Sequence, residues 1–283
     1  MKLCSYQVQG QASFGLVQGT GIFDLKNGLN GKFKDLKALI EANGFAQAAA
    51  FPTDRSPDID LAHVRLLPVI PEPNKIICVG LNYHAHVQET GRALTEKPAI
   101  FLRVSGSQVG AEQNILRPAE SERLDYEGEI AVIIGKQGRR IDPEDAWTHI
   151  AGYSCYNDGS VRDWQAATTQ WTAGKNFCQT GAFGPWMVTA DEIVPNQTLT
   201  LVTRLNGAEM QRASTNMMIH SIPELIAHVS TFTALLPGDV LVTGTPGGVG
   251  NKRNPQVFMK PGDVVEVEVD AIGVLRNTIA DEL

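Results

Sequence analysis

No two cysteines of this chain stand in a C-x-x-C spacing. The four, Cys4, Cys78, Cys155 and Cys178, are scattered over 283 residues, which argues against a disulfide framework or a thiolate zinc site and suits reduced thiols in the cytoplasm. No apolar run approaches the ~18 residues that span a bilayer, and Met1 to Gly10 lacks the basic-then-apolar order of a signal peptide. Positive charge is short: 24 Lys and Arg against 31 Asp and Glu give a net charge of −7. Such a chain lacks the basic field that nucleic acid attracts, so neither nucleic acid nor a membrane is an expected partner. The P-loop, the G-x-G-x-x-G fingerprint, the G-x-S-x-G elbow and H-E-x-x-H are all missing, which disfavours nucleotide folds, serine hydrolases and zincins. The sequon Asn196-Gln197-Thr198 carries no weight without a secretion signal.

What is present is enough for a sizeable core, with 43% hydrophobic and 19% charged residues. Residues 1–70 read as a small β-rich unit. Short apolar runs between Val8 and Leu25 are broken by glycines, as in hairpins, and Phe33, Leu36, Leu39 and Ile40 keep helical spacing up to a break at Gly44. Pro68, Pro71 and Pro73 then mark a linker. Over 71–283 strands dominate: Ile76 to Gly80, Gly152 to Tyr156, Ile130 to Ile134, Leu199 to Leu205, Val240 to Thr243 and Val264 to Val269. Helices are expected at 143–149 and 221–235, the second opened by a Ser221/Glu224 capping box. Few strand–helix–strand alternations occur, so the fold class is mainly β or α+β rather than doubly wound.

Five segments carry candidate chemistry. In Asp125-Tyr126-Glu127-Gly128-Glu129, two glutamates two apart on a strand project together at the entry to an apolar run. A divalent cation would offset their repulsion and desolvation, and hard oxygens select Mg²⁺, Mn²⁺ or Ca²⁺; the plain alternative is a solvated strand end. Asp158 offers a third carboxylate or an Asp-Gly turn, beside an Arg162–Asp163 charge pair. His86 and Glu89 share a helix face if 83–89 is helical, a dyad suited to acid–base work or a minor surface ion pair. Lys175, among apolar and Gly/Pro residues, is a clamp for a substrate carboxylate or a snorkelling surface lysine. The glycine-rich run 244–250 after a strand is a set of turns or a ring of N–H groups around an anion.

Together these segments resemble the fumarylacetoacetate hydrolase family. The resemblance covers about 74–281 and rests on V-G-L-N-Y-x-x-H-x-x-E at 79–89, D-Y-E-G-E-I-A-V-I-I-G at 125–135, N-D-G-S-V-R-D-W-Q at 157–165, G-K-N-F at 174–177, G-P-W at 184–186 and P-G-D-V-L-V-T-G-T-P-G-G-V-G at 237–250. It implies a mixed β-roll behind a small N-terminal β domain, usually in a homodimer. It implies Mg²⁺ or Mn²⁺ on Glu127, Glu129 and Asp158, catalysis by the dyad His86 and Glu89 on a segment that closes over the substrate, and a catalytic part for Lys175. It implies substrate contacts from Arg103, Gln165, Lys175 and Thr245, with Arg103 where many members have lysine and Cys178 near a position where many have aspartate. The substrate is then a small anionic keto acid. The reaction expected from the resemblance is C–C hydrolysis of an acylpyruvate-like 2,4-diketo acid. Oxaloacetate decarboxylation, isomerisation or decarboxylation of ring-fission products, and a catalytically silent metal-binding protein are the alternatives.

Overall fold

The computed structural model describes residues 1–282. Its backbone is a 12-stranded mixed sheet facing a 5-stranded one, with a two-stranded ribbon beside them. The strand Gly128–Ile134 lies inside the large sheet between Ile150–Asn157 and Val240–Val242, and every one of its residues is buried. That is why it reads as an unbroken apolar run rather than an alternation. Val264–Val269 alternates buried and half-buried residues in the small sheet, as a strand with one covered face must. The two-residue turns Gln9-Gly10 and Asn206-Gly207 have positive φ at both positions, the geometry that closes a tight hairpin in step with strand twist.

Residues 1–70 were expected as a separate unit, and here they share the sheet and a core with the rest. Lys2–Val8 pairs antiparallel with Gly181–Thr189, and Leu3, Phe14, Leu36 and Leu39 pack in one apolar cluster with Ile76, Ala131, Ile133 and Val240. The proline-rich segment is not an open linker either, because Val69 and Ile70 are buried. The helical spacing around Phe33–Ile40 forms Leu36–Glu41, and the chain breaks at 42–44, around the Gly44 read from the sequence, before a second helix, Phe45–Ala49. The helix expected at 143–149 is corrected to a single 3-10 turn, Ala146–His149; its span is too short for an apolar stripe to select an α-helix. The 221–235 helix forms as Ile222–Phe232, with the capping box at Ser221 and Glu224 in place and Ile222, Leu225, Ile226 and Val229 buried.

Candidate active site and metal centre

The acidic cluster follows from register. Gly128 pairs with Asn157 and Glu129 with Tyr156 in the antiparallel pair, so Glu127 and Asp158 meet at its end, where the Asp158 N–H donates to the Glu127 carbonyl at 2.8 Å. Residues two apart share a face of a strand, and Glu127, Glu129 and Asp158 each offer an oxygen within 4.8 Å of the others, all buried.

Cations surround two of the three. Lys175 donates to Glu127 Oε2 at 2.6 Å and to Asp158 Oδ2 at 2.7 Å. Arg162 meets Glu127 Oε1 at 2.6 Å and Asp125 Oδ2 at 2.8 Å. Arg103 meets Asp158 Oδ1 at 2.5 Å. Burial pulls the Lys175 ammonium toward neutrality, but Asp158 and Glu127 outweigh it, and its pKa is raised. Burial likewise opposes the charge on Glu127, yet Lys175 and Arg162 hold its carboxyl below the ordinary range. Glu129 differs. Among the described residues no cation pairs with it; it accepts only the Gly244 N–H, at 2.5 Å. Burial, then Asp158 and Glu127, push its carboxyl well above the ordinary range.

These residues fit a hard dication. The donors are carboxylate oxygens only, with no thiolate or imidazole among the clustered ligands, which is the set that Mg²⁺ and Mn²⁺ take. Glu129 is the one ligand with no paired cation among the described residues, and a bound dication would hold it ionised.

Across the cavity lies the helix His84–Thr90, which ends at Gly91 in the left-handed region, φ 69°. His86 Nδ1 and Glu89 Oε1 are 2.7 Å apart, and His86 is only 7% exposed, so the pair is not a surface ornament. A carboxylate on Nδ1 assigns the proton there and leaves Nε2 as the free acceptor. Asn82 ties the front of this segment down: its side-chain oxygen accepts the His220 N–H, and its amide donates to the carbonyls of His220 and Thr243.

The cavity is lined by His86, Glu127, Glu129, Arg162, Lys175 and Thr245, with Gln165, Phe101 and Trp171 on its wall. Gln165 accepts from Arg162 at 2.9 Å. The Thr245 hydroxyl donates to the Gly128 carbonyl at 3.0 Å and accepts from Gln211 at 2.9 Å, so only acceptor capacity is left for a ligand. Lys175 is no snorkelling residue; its ammonium is the bridge inside the acidic cluster. Arg103 is corrected. Its side chain is fully buried and spends its N–H groups on Ser107, Asp158, Gly159 and Thr180, which leaves none for a substrate. It stands behind Asp158 and orients it.

The Arg162–Asp163 pair is not formed either. Arg162 turns to Asp125 and Glu127, and Asp163 accepts from Ser121 at 2.7 Å. One Arg162 nitrogen, Nη2, is buried with no hydrogen-bond partner among the described residues. Sequence reasoning missed this residue, together with Asp125 and Gln211. Leu124–Asp125 pairs with Ser160–Val161, a long-range register that adjacency in sequence does not show. The glycine-rich run does bind anions through its backbone, and those anions are the site's own carboxylates: Gly248 N–H holds Glu89 at 2.8 Å, and Gly250 and Asn251 hold Asp125 at 2.9 Å.

The family model for the fumarylacetoacetate hydrolase C-terminal domain matches residues 75–280. A mitochondrial oxaloacetate tautomerase of Bos taurus is 40% identical over 225 residues, 79% of this chain and 72% of that protein. A fumarylacetoacetate hydrolase structure from Exiguobacterium antarcticum superposes with a TM-score of 0.85 at 34% identity, covering 100% of both chains. A maleylpyruvate hydrolase structure from Sphingobium sp. SYK-6, in complex with manganese(II) and pyruvate, gives 0.83 at 30% identity, again over 100% of both.

Proposed function

The chain belongs to the fumarylacetoacetate hydrolase family, and from that premise we propose that it is a metal-dependent enzyme that moves a proton between carbon and oxygen of a small 2-keto acid, an oxaloacetate-type keto–enol tautomerase. The observation that carries this reading is a His–Glu pair whose imidazole is buried and faces Glu127 and Glu129 of the three-carboxylate cluster across one small cavity.

Glu127, Glu129 and Asp158 would hold a dication, which would supply Lewis-acid charge for the oxygens of the keto acid. His86, its Nδ1–H donated to Glu89, takes the C3 proton on Nε2 and returns it to the enolate oxygen. The C–H bond breaks, an O–H bond forms, and the imidazole ends as it began. The unpartnered N–H of Arg162 and the ammonium of Lys175 stabilise the carboxylate and the developing negative charge. Gln165 and Thr245 complete the wall. The mitochondrial oxaloacetate tautomerase at 40% identity supports this reaction over the hydrolysis expected from the sequence.

Hydrolysis of a 2,4-diketo acid stays as the second reading, favoured by the likeness to the maleylpyruvate hydrolase that carries manganese(II) and pyruvate. There His86 would deprotonate water for attack on the distal carbonyl. One purified sample with Mn²⁺ separates the two. Ultraviolet absorbance follows enol–keto interconversion of oxaloacetate, and a coupled assay follows pyruvate release from oxaloacetate and from acylpyruvates. Faster interconversion without pyruvate release is expected. Pyruvate from an acylpyruvate with no faster interconversion would replace the tautomerase by the hydrolase, and pyruvate from oxaloacetate would replace it by the decarboxylase.

A homodimer belongs to the same proposal. Leu102 and Val104, at the outer edge of the large sheet, are 55% and 57% exposed, an apolar edge that a second copy would cover. A sedimentation mass of one chain would oppose it. The cytoplasm is the proposed location, on the strength of four unpaired cysteines; fractionation of the protein with an organelle would oppose that.

A further inference from the structure

We propose that Arg253 is a positioning residue that latches the helix His84–Thr90 over the carboxylate cluster, acting through the peptide groups of Gly248. The helix needs a latch. It has seven residues and no side-chain N-cap, and a helix of that length is not stable on its own in water. Its front is tied by Asn82. Toward its end the tie is Glu89, which uses one oxygen on His86 and the other on the Gly248 N–H, at 2.8 Å. The direction of that N–H therefore governs both the closed position of the helix and the aim of the imidazole.

Gly248 is held from the other side. Its φ is +105°, and a Cβ there would come 2.3 Å from the Met210 carbonyl oxygen, so the close approach of loop and strand requires glycine. The Gly248 carbonyl accepts from the Tyr126 hydroxyl at 3.1 Å and from Arg253 Nε at 3.2 Å. Arg253 Nη2 donates to the Met210 carbonyl at 2.6 Å, bolting the glycine loop to the strand Ala208–Ser214 of the small sheet. Tyr126, the third member, directly precedes the ligand Glu127 and also accepts from Arg253, at 3.2 Å. Arg253 does not line the cavity. Its path to the chemistry runs from the small sheet to the Gly248 carbonyl, through the glycine backbone to the Gly248 N–H, and on to Glu89 and His86.

The catalytic half of this inference rests on His86 and Glu89 as the proton carrier; the structural half does not. The test compares the Mn²⁺-loaded parent with Arg253→Met and Arg253→Lys, by hydrogen–deuterium exchange of 84–90 and of 128–134, together with kcat, KM and Mn²⁺ affinity. A hydrogen bond from a charged donor is worth about tenfold. Arg253→Met is therefore expected to speed exchange over 84–90 by about that factor, to lower kcat similarly, and to leave 128–134 and Mn²⁺ affinity as in the parent. Arg253→Lys, which keeps one donor, recovers part of both. Parental exchange over 84–90 in Arg253→Met overturns the latch whatever the kinetics show. Faster exchange over 128–134 as well overturns it too, because the role is then general packing. Faster exchange confined to 84–90 with unchanged kcat upholds the latch and counts instead against His86 and Glu89 as the proton carrier.

Discussion

Glu127, Glu129 and Asp158 sit at the closed end of a strand pair whose residues are all buried, whereas His86 and Glu89 ride on seven residues of helix tied at two points. The floor is held by charge: carboxylates and cations in contact at 2.5 to 2.8 Å, away from water. The lid itself meets only neutral side-chain and backbone donors, with the one cation behind it, Arg253, acting at a remove through Gly248. The difference suits the two tasks. A cation site needs fixed oxygens in a low dielectric, where each charge is felt strongly. A proton carrier beside a closed cavity must let substrate in, so its element belongs to the part of the fold that opens at low cost.

Each region should fail in its own way. His86→Ala removes the lid's base and is expected to cut turnover by about 10²- to 10⁴-fold while Mn²⁺ affinity stays at the parent value; steady-state kinetics and calorimetry on the same variant would break the comparison if both fell. Arg103→Met strips the fully buried Asp158 of a partner and should cost the floor about 3–5 kcal/mol of stability, read by urea unfolding. A loss below about 1 kcal/mol would show that Lys175 alone carries Asp158.

The third expectation concerns pH. Without metal, the Glu129 carboxyl is raised well above its ordinary value, so the native chain holds a proton that the unfolded chain has released. Stability of the chelated protein then rises as pH falls from above that raised value toward the ordinary glutamate range, and is lost as pH rises through it. Mn²⁺ should flatten this slope; melting temperature against pH, with chelator and with Mn²⁺, checks the sign. The smallest effect is reserved for neither region. Ser221→Ala removes the capping box of Ile222–Phe232 and should cost about 1 kcal/mol without changing turnover.

The sequence exposed the floor better than what surrounds it. Glu129 lies in the strand Gly128–Ile134 and Glu127 directly precedes it, so the period-2 spacing read from the sequence still brings the two together. The strands at 76–80, 240–242 and 264–269 were equally legible from their apolar runs. What stayed hidden depends on partners distant in sequence. Arg103 turns inward because Asp158, 55 positions on, waits there. Arg162 passes over its neighbour Asp163 for Asp125, 37 positions back. The glycine run was readable as an anion cradle, but only the fold reveals that its anions are Glu129, Glu89 and Asp125. Periodicity reports which face of an element is covered; it does not report what covers it.

Calorimetric titration of Mn²⁺ into the parent and into Glu129→Gln tests the centre of the account. Glu129 is the cluster's one carboxylate without a paired cation among the described residues, so its replacement leaves the surrounding ion pairs intact. The account predicts one Mn²⁺ per chain in the parent and a loss of more than about 100-fold in affinity in Glu129→Gln, beyond the range for groups that only support a ligand. Equal affinity in the two proteins would mean that the three carboxylates do not share an ion, and the reading of this cavity as a metal-dependent active site would fall with it.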